Sequence, residues 1–371
     1  MNPSYILRTS CPVCQGKEIN LHYSSHFPIL PICTEKKVEF DINIPFEIGI
    51  CNECGLIQLT KLVEPSLLYD NFHSEGLGET WNNHYEAFSN IIKKLPVRVA
   101  LEVGAGQGKL TEKLKEKLHL TVVDPLYRGN RNNIEVFSTM FDSNISDTMM
   151  GKFEMVYSSH TLEHFYEFNE YFQNSFKVLQ SNGFLVTAVP NLEFSFNTGY
   201  TNTLNTEHTS ILSLSHLINL HQKNGFIIKS IEYYKDHSIY ITSQKSEKIN
   251  TKINSVEYSQ VLLENFILRI KNKIDIIRNR ANDKKINYLF GASNFAQTLF
   301  AFGLQENYFS NLLDNSDIKA KKRLYGTNLV SLHPKDIDLN SARIFINAGT
   351  YSKEINIQLK KLNQNIETII L

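Results

Sequence analysis

The sequence predicts an α/β protein in three parts, and two features of the chain carry that prediction. The first is a strand–loop–helix–strand unit at residues 99–124, where apolar runs flank a glycine-rich loop, a pattern typical of nucleoside binding. The second is a pair of C-x-x-C turns at residues 11–14 and 51–54, typical of a small metal-binding β domain. We therefore predict parts at residues 1–68, 69–246 and 247–371.

The charges of the chain balance, with 38 Lys and Arg against 38 Asp and Glu among 371 residues. A neutral chain gives no reason to expect a nucleic-acid partner or a membrane surface, and no apolar run is long enough for membrane insertion. Four of the five cysteines fall in the two C-x-x-C pairs, unlike the disulfide framework of a secreted protein. We expect a cytoplasmic monomer or homodimer.

The two C-x-x-C turns predict a structural zinc site. Each turn can aim two thiolates at one ion, and together they complete a tetrahedral shell without an open position. The ligands would be Cys11, Cys14, Cys51 and Cys54. A redox pair is the alternative, but it needs a βαβ setting that this region lacks. The long interval between the pairs predicts a small β insertion, and Cys33 within it is interpreted as a buried free thiol or else a substitute ligand.

A helical pattern rich in aromatic residues follows between residues 64 and 96, and we expect Trp81 to pack in the core there. Residues 72–79 interrupt it with a polar stretch that contains glycine. Such a stretch can be a lid over a cofactor or a plain loop.

The spacing of the glycines in the loop indicates which class of nucleotide-binding site it forms. Its spacing, G-x-G-x-G from Gly104 to Gly108, differs from the dinucleotide fingerprint, and no Gly-Lys-Ser/Thr follows as in a P-loop. Glu102 before the loop suits a positively charged cofactor, and Asp124 at the end of the next strand can accept hydrogen bonds from ribose hydroxyls. The pattern resembles motif I of class I S-adenosylmethionine methyltransferases, which implies S-adenosyl-L-methionine as cofactor. The candidate contacts in this unit are Glu102, Gly104, Ala105, Gly106, Gly108, Asp124 and Pro125.

Three more strands are predicted near residues 134–137, 153–158 and 184–191. Met140 and Phe141 follow the first of these and are expected near the adenine, although Phe141 could instead be core. Ser159 and His160 follow the second and should face the ligand crevice, because polar residues at the carboxyl end of a central parallel strand do so. Two histidines with a glutamate at residues 160–164 are hard to explain as core, but His164 can instead cap or stabilise the next helix, so His160 is the stronger candidate.

Glu207 and His208 lie in a polar loop after the fifth strand and are the candidate catalytic pair. Histidine titrates near neutrality, so His208 can act as a general base while a carboxylate orients it. The alternative is a helix-capping region with incidental charge. Residues 225–228 and 238–241 then predict two antiparallel closing strands.

The third part is predicted to begin with a long amphipathic helix at residues 247–285. A second α/β unit follows, with strands near residues 286–290, 309–313 and 343–348. It resembles a truncated Rossmann half whose loop has a single glycine, and we do not expect it to bind a second nucleotide cofactor.

Taken in order, the motifs resemble those of the three-part nucleotide-sugar C-methyltransferases that make branched deoxysugars. The matching positions are the four paired cysteines, residues 55–59, 102–108, 160–164, 189–191, 207–208, 212–214 and 290–292, Asp314, Lys319 and residues 326–327. The resemblance implies a zinc domain and a Rossmann-like domain on either side of the methyltransferase core, and a nucleotide-linked 4-keto sugar as substrate. His208 would remove a proton beside the ketone with Glu207 as its partner, and the enolate would attack the methyl group.

Three positions depart from the family pattern. Asn205 replaces a tyrosine, residues 72–76 replace a lid rich in tyrosine and serine, and residues 236–239 replace a His-Gly-Gly-Ser stretch. They motivate a first alternative, O-methylation of a sugar or related metabolite. The second alternative is a non-catalytic binding protein with this fold, against which the retention of Glu102, Asp124 and the Glu207–His208 pair argues.

Overall fold

The computed structural model describes residues 5–69, 78–249, 251–281, 283 and 285–371. Most of the segment interpreted as a lid or loop, residues 72–77, lies outside the described residues. No helix of the described part is long and apolar enough to cross a membrane.

The N-terminal part is built from antiparallel strands. They are β1 (Tyr5–Leu7), β2 (Ile19–Pro28), β3 (Cys33–Thr34), β4 (Asn43–Cys51), β5 (Ile57–Leu59) and β6 (Lys61–Val63), followed by helix α1 (Pro65–Tyr69). Strands β2, β4 and β5 form one sheet, and β1 pairs with β6. Since β2 to β4 lie between the two cysteine pairs, the structure contains the predicted β insertion.

The central part is an α/β unit with a seven-stranded sheet. Its elements are α2 (Glu79–Lys93), β7 (Val99–Val103), α3 (Lys109–Leu114), β8 (His119–Val123), β9 (Glu135–Phe137), α4 (Ser143–Thr148), β10 (Phe153–Ser159), α5 (Phe168–Val178), β11 (Leu179–Pro190), α6 (Leu192–Asn197), β12 (Ser210–Ile211), α7 (Leu214–Lys223), β13 (Phe226–Tyr234) and β14 (Ser238–Lys245). The sheet order is β13-β14-β11-β10-β7-β8-β9, and β7 to β11 run parallel. The predicted closing strands β13 and β14 pair antiparallel.

The order of the sheet fixes where a ligand can bind. The chain runs outward from β7 through β8 and β9, then returns to the other side of β7 with β10 and β11. Ligands of open α/β sheets bind beyond the carboxyl ends of the strands at such a reversal. The loops after β7 and β10 therefore frame the candidate site, and the predicted α/β fold with a Rossmann-like core is confirmed.

The C-terminal part contains a long helix and a second parallel sheet. Its elements are α8 (Val256–Arg280), β15 (Ile286–Phe290), α9 (Asn294–Ala301), β16 (Asn311–Leu313), β17 (Arg323–Leu324), β18 (Ser331–Leu332), β19 (Ala342–Ile346), α10 (Ser352–Leu362) and β20 (Glu367–Ile370). The five strands in order β18-β16-β15-β19-β20 are all parallel. Helix α8 is shorter than predicted, because its apolar stripe begins only at Leu262 and ends at Ile277.

The three parts of the chain pack against one another in a common hydrophobic core. One core cluster contains Phe46 of β4, Phe196 of α6, Phe266 of α8 and Phe345 of β19. Strand β12, which follows the Glu207–His208 loop, pairs with β5 of the N-terminal sheet through Ser210 opposite Gln58. The candidate catalytic loop is therefore held in place by the N-terminal part as well as by the central part to which it belongs.

Candidate active site and candidate metal centres

The glycine loop after β7 is bent and tightly packed. Gly104 has φ +72°, in the left-handed region, and a Cβ there would lie 2.3 Å from Cγ2 of Thr161. The Gly106 N–H donates to Oδ2 of Asp124 at 2.6 Å, and the half-buried Ala105 accepts from the Gly108 N–H at 2.8 Å. The loop thus joins the ends of β7, β8 and β10 in one cradle, as a nucleoside site requires.

Two buried acids lie at that cradle. Glu102, only 2% exposed, accepts hydrogen bonds from the hydroxyls of Thr111 at 2.6 Å and Tyr157 at 2.9 Å. Burial raises the pKa of Glu102 to about 7, and the nearby Asp124 adds to the increase. Asp124 also accepts from the Leu126 N–H at 2.6 Å, and Pro125 beside it is exposed. Two buried acids beside a tight glycine loop supply hydrogen-bond acceptors and negative charge, which suit a cationic nucleoside such as S-adenosylmethionine.

Met140 and Phe141 differ in exposure. Met140 is exposed beyond β9, whereas Phe141 is 4% exposed and packs in the core against Tyr171. Phe141 was interpreted either as a residue near the adenine or as a core residue, and in the structure it is a core residue.

The end of β10 carries Ser159 and His160 into a cluster of rings. His160 has φ +51°, a conformation that costs a non-glycine residue of order 1 kcal/mol or more and is often found at functional sites. Its Nε2 lies 2.8 Å from Oγ of Ser238, and Oγ of Ser159 lies 2.8 Å from Nε2 of His84. Burial and the neighbouring imidazoles lower the pKa of His160 well below its usual range, so that the ring is neutral.

Three imidazoles meet around Ser238. Its Oγ is 2.6 Å from Nδ1 of His237 and 3.1 Å from Nδ1 of His84, in addition to its contact with His160. Burial lowers the pKa of His84 to about 3 and that of His237 to about 4. A hydroxyl offers one proton and two lone pairs, which is enough for all three bonds.

Trp81 completes the ring cluster, so its assignment to the core is wrong. Its ring centroid lies 4.7 Å from that of His160 and 4.8 Å from that of His237. Its Nε1 donates to the hydroxyl of Tyr351 at 3.0 Å, which brings the C-terminal part to the edge of the site. His84 and Tyr351 were not predicted as site residues; the signal in the sequence was the spacing of Trp81 and His84 on one face of α2.

The Glu207–His208 loop is shaped by Asn205, which is 1% exposed. Its Oδ1 accepts from the N–H groups of Glu207 at 2.8 Å and His208 at 3.0 Å. The next residues are fixed by the buried Arg8, whose guanidinium donates to Oγ1 of Thr209 and Oγ of Ser210, each at 3.1 Å. Asn205 therefore builds the turn. The part of Arg8 in fixing this loop was not predicted from the sequence.

The helix-capping interpretation of this loop is wrong. The cap of α7 is Ser213, whose Oγ accepts from the His216 N–H. His164 is not a cap either: it lies in the turn at residues 162–164, and its ring centroid is 4.8 Å from that of His208.

Glu163, between the two histidines of the H-T-L-E-H motif, meets His164 and His208. One donor atom of each of these three residues lies within 4.8 Å of the others. Glu163 is 2% exposed, and burial raises the pKa of its carboxyl to about 8. Its Oε1 lies 3.6 Å from Nδ1 of His160. Glu163 was not predicted as a site residue, although its place between two histidines in the sequence was a signal.

The four paired cysteines converge as predicted. The Sγ atoms of Cys11 and Cys54 are 3.6 Å apart, those of Cys14 and Cys51 3.5 Å, and all four lie within 4.8 Å. A tetrahedral site with Zn–S bonds of about 2.3 Å needs S···S separations of about 3.8 Å, so the set fits Zn²⁺. Cys33 is a half-buried free thiol whose Sγ lies 3.9 Å from the carbonyl oxygen of Ala292, outside this cluster.

Residues 83–231 match the family model described as a methyltransferase domain. Similar solved structures include 1,6-didemethyltoxoflavin-N1-methyltransferase from Burkholderia thailandensis, at 13% identity over 47% of this chain and 94% of that one, with a TM-score of 0.35. Another is an S-adenosylmethionine-dependent methyltransferase from Mesorhizobium loti, at 12% identity over 45% and 99% of the two chains, with a TM-score of 0.36. No curated protein matches the sequence.

Proposed function

Because residues 83–231 form a methyltransferase domain and the chain is an S-adenosylmethionine-dependent methyltransferase, we propose that it methylates a nucleotide-activated keto sugar at carbon. The observation that carries the proposal is the position of His208. It lies at the carboxyl end of the central sheet, next to the residues that follow β10 and therefore close to the cradle of the glycine loop. Imidazole is the side chain that most often acts as a general base in enzymes.

In the proposed reaction His208 takes the proton from the ring carbon beside the ketone, with Glu207 as its partner. The neutral imidazole of His160 and the residues around it are candidates to hold the enolate oxygen. S-Adenosylmethionine supplies an activated methyl group. The cradle around Gly104, with Glu102 and Asp124, positions that group, and positioning is most of what such a transfer needs from the protein.

O-Methylation of a sugar hydroxyl is the second candidate. It is favoured by Glu163, His164 and His208, since an acid and two imidazoles can hold a cation that lowers the pKa of a bound hydroxyl. For the N-terminal part we propose a structural Zn²⁺ on the four cysteines, and these cysteines, which form no disulfide, suit a reducing cytoplasm.

The test uses S-adenosylmethionine labelled with ¹³C in the methyl group and a panel of nucleotide-linked 4-keto sugars. The carbon route predicts a product whose ¹³C signal has the chemical shift of a methyl group on carbon. A methoxy shift would assign the second candidate. No transfer to any sugar, together with tight binding of S-adenosylhomocysteine, would place the acceptor outside this class.

A further inference from the structure

We propose that Glu163, His164 and His208 bind a divalent transition-metal cation. The three residues each offer one donor atom, and these atoms lie within 4.8 Å of one another. Two imidazoles and one carboxylate are a ligand set that Mn²⁺, Fe²⁺ and Zn²⁺ use with further positions open to water or substrate. This site is separate from the four-cysteine cluster and does not depend on the identity of the acceptor.

The main argument for a cation is that the carboxyl of Glu163 is buried and incompletely paired. The side chain is almost fully buried, and its Oε2 has no hydrogen-bond partner among the described residues. Within the same part of the chain, its one ion-pair contact is Oε1 with His160 at 3.6 Å. Burial of a carboxylate without a partner is costly unless it is protonated or compensated by a positive charge. A metal ion would supply that charge.

The site is preorganised by two elements that are fixed independently. Glu163 and His164 belong to the short turn directly after β10. The His164 N–H donates to the carbonyl oxygen of Thr161 at 3.1 Å, and the Thr161 hydroxyl donates to the loop carbonyls of Val103 and Gly104. His208 comes from the loop built by Asn205 and anchored through Arg8. Ligands that are positioned by separate rigid supports lose little freedom when a metal binds.

Occupancy of the site would change the role of His208. An imidazole nitrogen that binds a cation cannot accept a proton. A bound metal would therefore make His208 a ligand and inhibit methylation at carbon, which needs His208 as the base. A metal with open coordination positions could then bind the hydroxyl of an acceptor and lower its pKa, which favours O-methylation.

The test is a Co²⁺ titration of the full-length protein with one Zn²⁺ held by the four cysteines. The expected result is one further Co²⁺ per chain, with d–d absorption bands but without the thiolate charge-transfer band. Glu163→Gln keeps the side-chain shape and should weaken Co²⁺ binding at least tenfold. Glu102→Gln is the matched control, because it removes an equally buried carboxyl outside the cluster and should leave the affinity unchanged.

Two results would overturn the proposal. One is a wild-type protein that takes up no Co²⁺ beyond the cysteine site. The other is equal Co²⁺ affinity of the wild type and the Glu163→Gln variant. His164→Asn provides a second variant with the same expected loss, and circular dichroism melts check that each variant is folded.

Discussion

At the scale of single residues, the buried acids make the stability of the protein depend on pH. Glu102 has its pKa raised by burial from 4.5 to about 7. The folded state therefore binds its proton more tightly than the unfolded state does. The contribution is complete below about pH 4.5 and is lost as the pH rises through about 7, and it amounts to about 3 kcal/mol if the carboxyl is fully ionised at the end.

Glu102→Gln should flatten this decline. The amide oxygen can still accept from Thr111 and Tyr157, but nothing ionises when the pH rises. Urea unfolding of the cofactor-free protein at pH 5 and pH 8 measures the two free energies of unfolding. Glu163 is the same in both proteins, so the difference between them isolates Glu102. Equal slopes for the wild type and the variant would contradict the assignment.

His208→Gln addresses the chemistry of the reaction. Loss of a general base should lower turnover by about 10²- to 10⁴-fold. The glycine loop and its acids are untouched, so the affinity for S-adenosylhomocysteine should be nearly unchanged. Calorimetric titration measures the affinity and methyl transfer measures the rate. A strong loss of S-adenosylhomocysteine binding would count against His208 as the base.

At the scale of elements, the two cysteine turns should be held together by their metal. Cys51→Ser removes one of four thiolates, and metal coordination contributes directly to folding in sites of this kind. We expect loss of zinc and a lower free energy of unfolding of the N-terminal sheet, with Cys33→Ser as the control because its thiol lies outside the cluster. Metal analysis and hydrogen exchange measure the two effects. A stable wild-type protein without zinc would refute the site.

The central sheet was predictable because each strand is an apolar run that ends in a turn or a polar residue. The ends of helices were less predictable. The apolar spacing of Leu110, Leu114 and Leu118 extends a helical pattern to Leu118, but α3 ends at Leu114 and Leu118 is buried just beyond it. The ring cluster around Ser238 was not predictable, since α2, the end of β10 and the turn before β14 meet only through the sheet order. Phe141 was ambiguous because the same residue type serves a base stack and a core.

At the scale of the whole molecule, a hydrogen bond from Trp81 to Tyr351 joins the C-terminal part to the site. Tyr351→Phe removes the acceptor and should lower the free energy of unfolding by about 1 kcal/mol. It should also change the emission of the folded protein, because Trp81 is the single tryptophan of the chain. Tyr258→Phe, which removes an exposed hydroxyl bonded to Glu193, is the control and should leave the emission unchanged. Identical emission of all three proteins would contradict this contact.

The pairing of β12 with β5 limits how this protein can be recombined with others. The backbone of the segment after His208 is aligned by the N-terminal sheet and by Arg8, and His216 of the following helix contacts the carbonyl oxygen of Cys54 at 3.1 Å. The N-terminal part thus helps to fix the conformation of the candidate catalytic loop. If the N-terminal part is exchanged for another domain, we expect the glycine loop to keep its shape and the proposed base His208 to be misplaced.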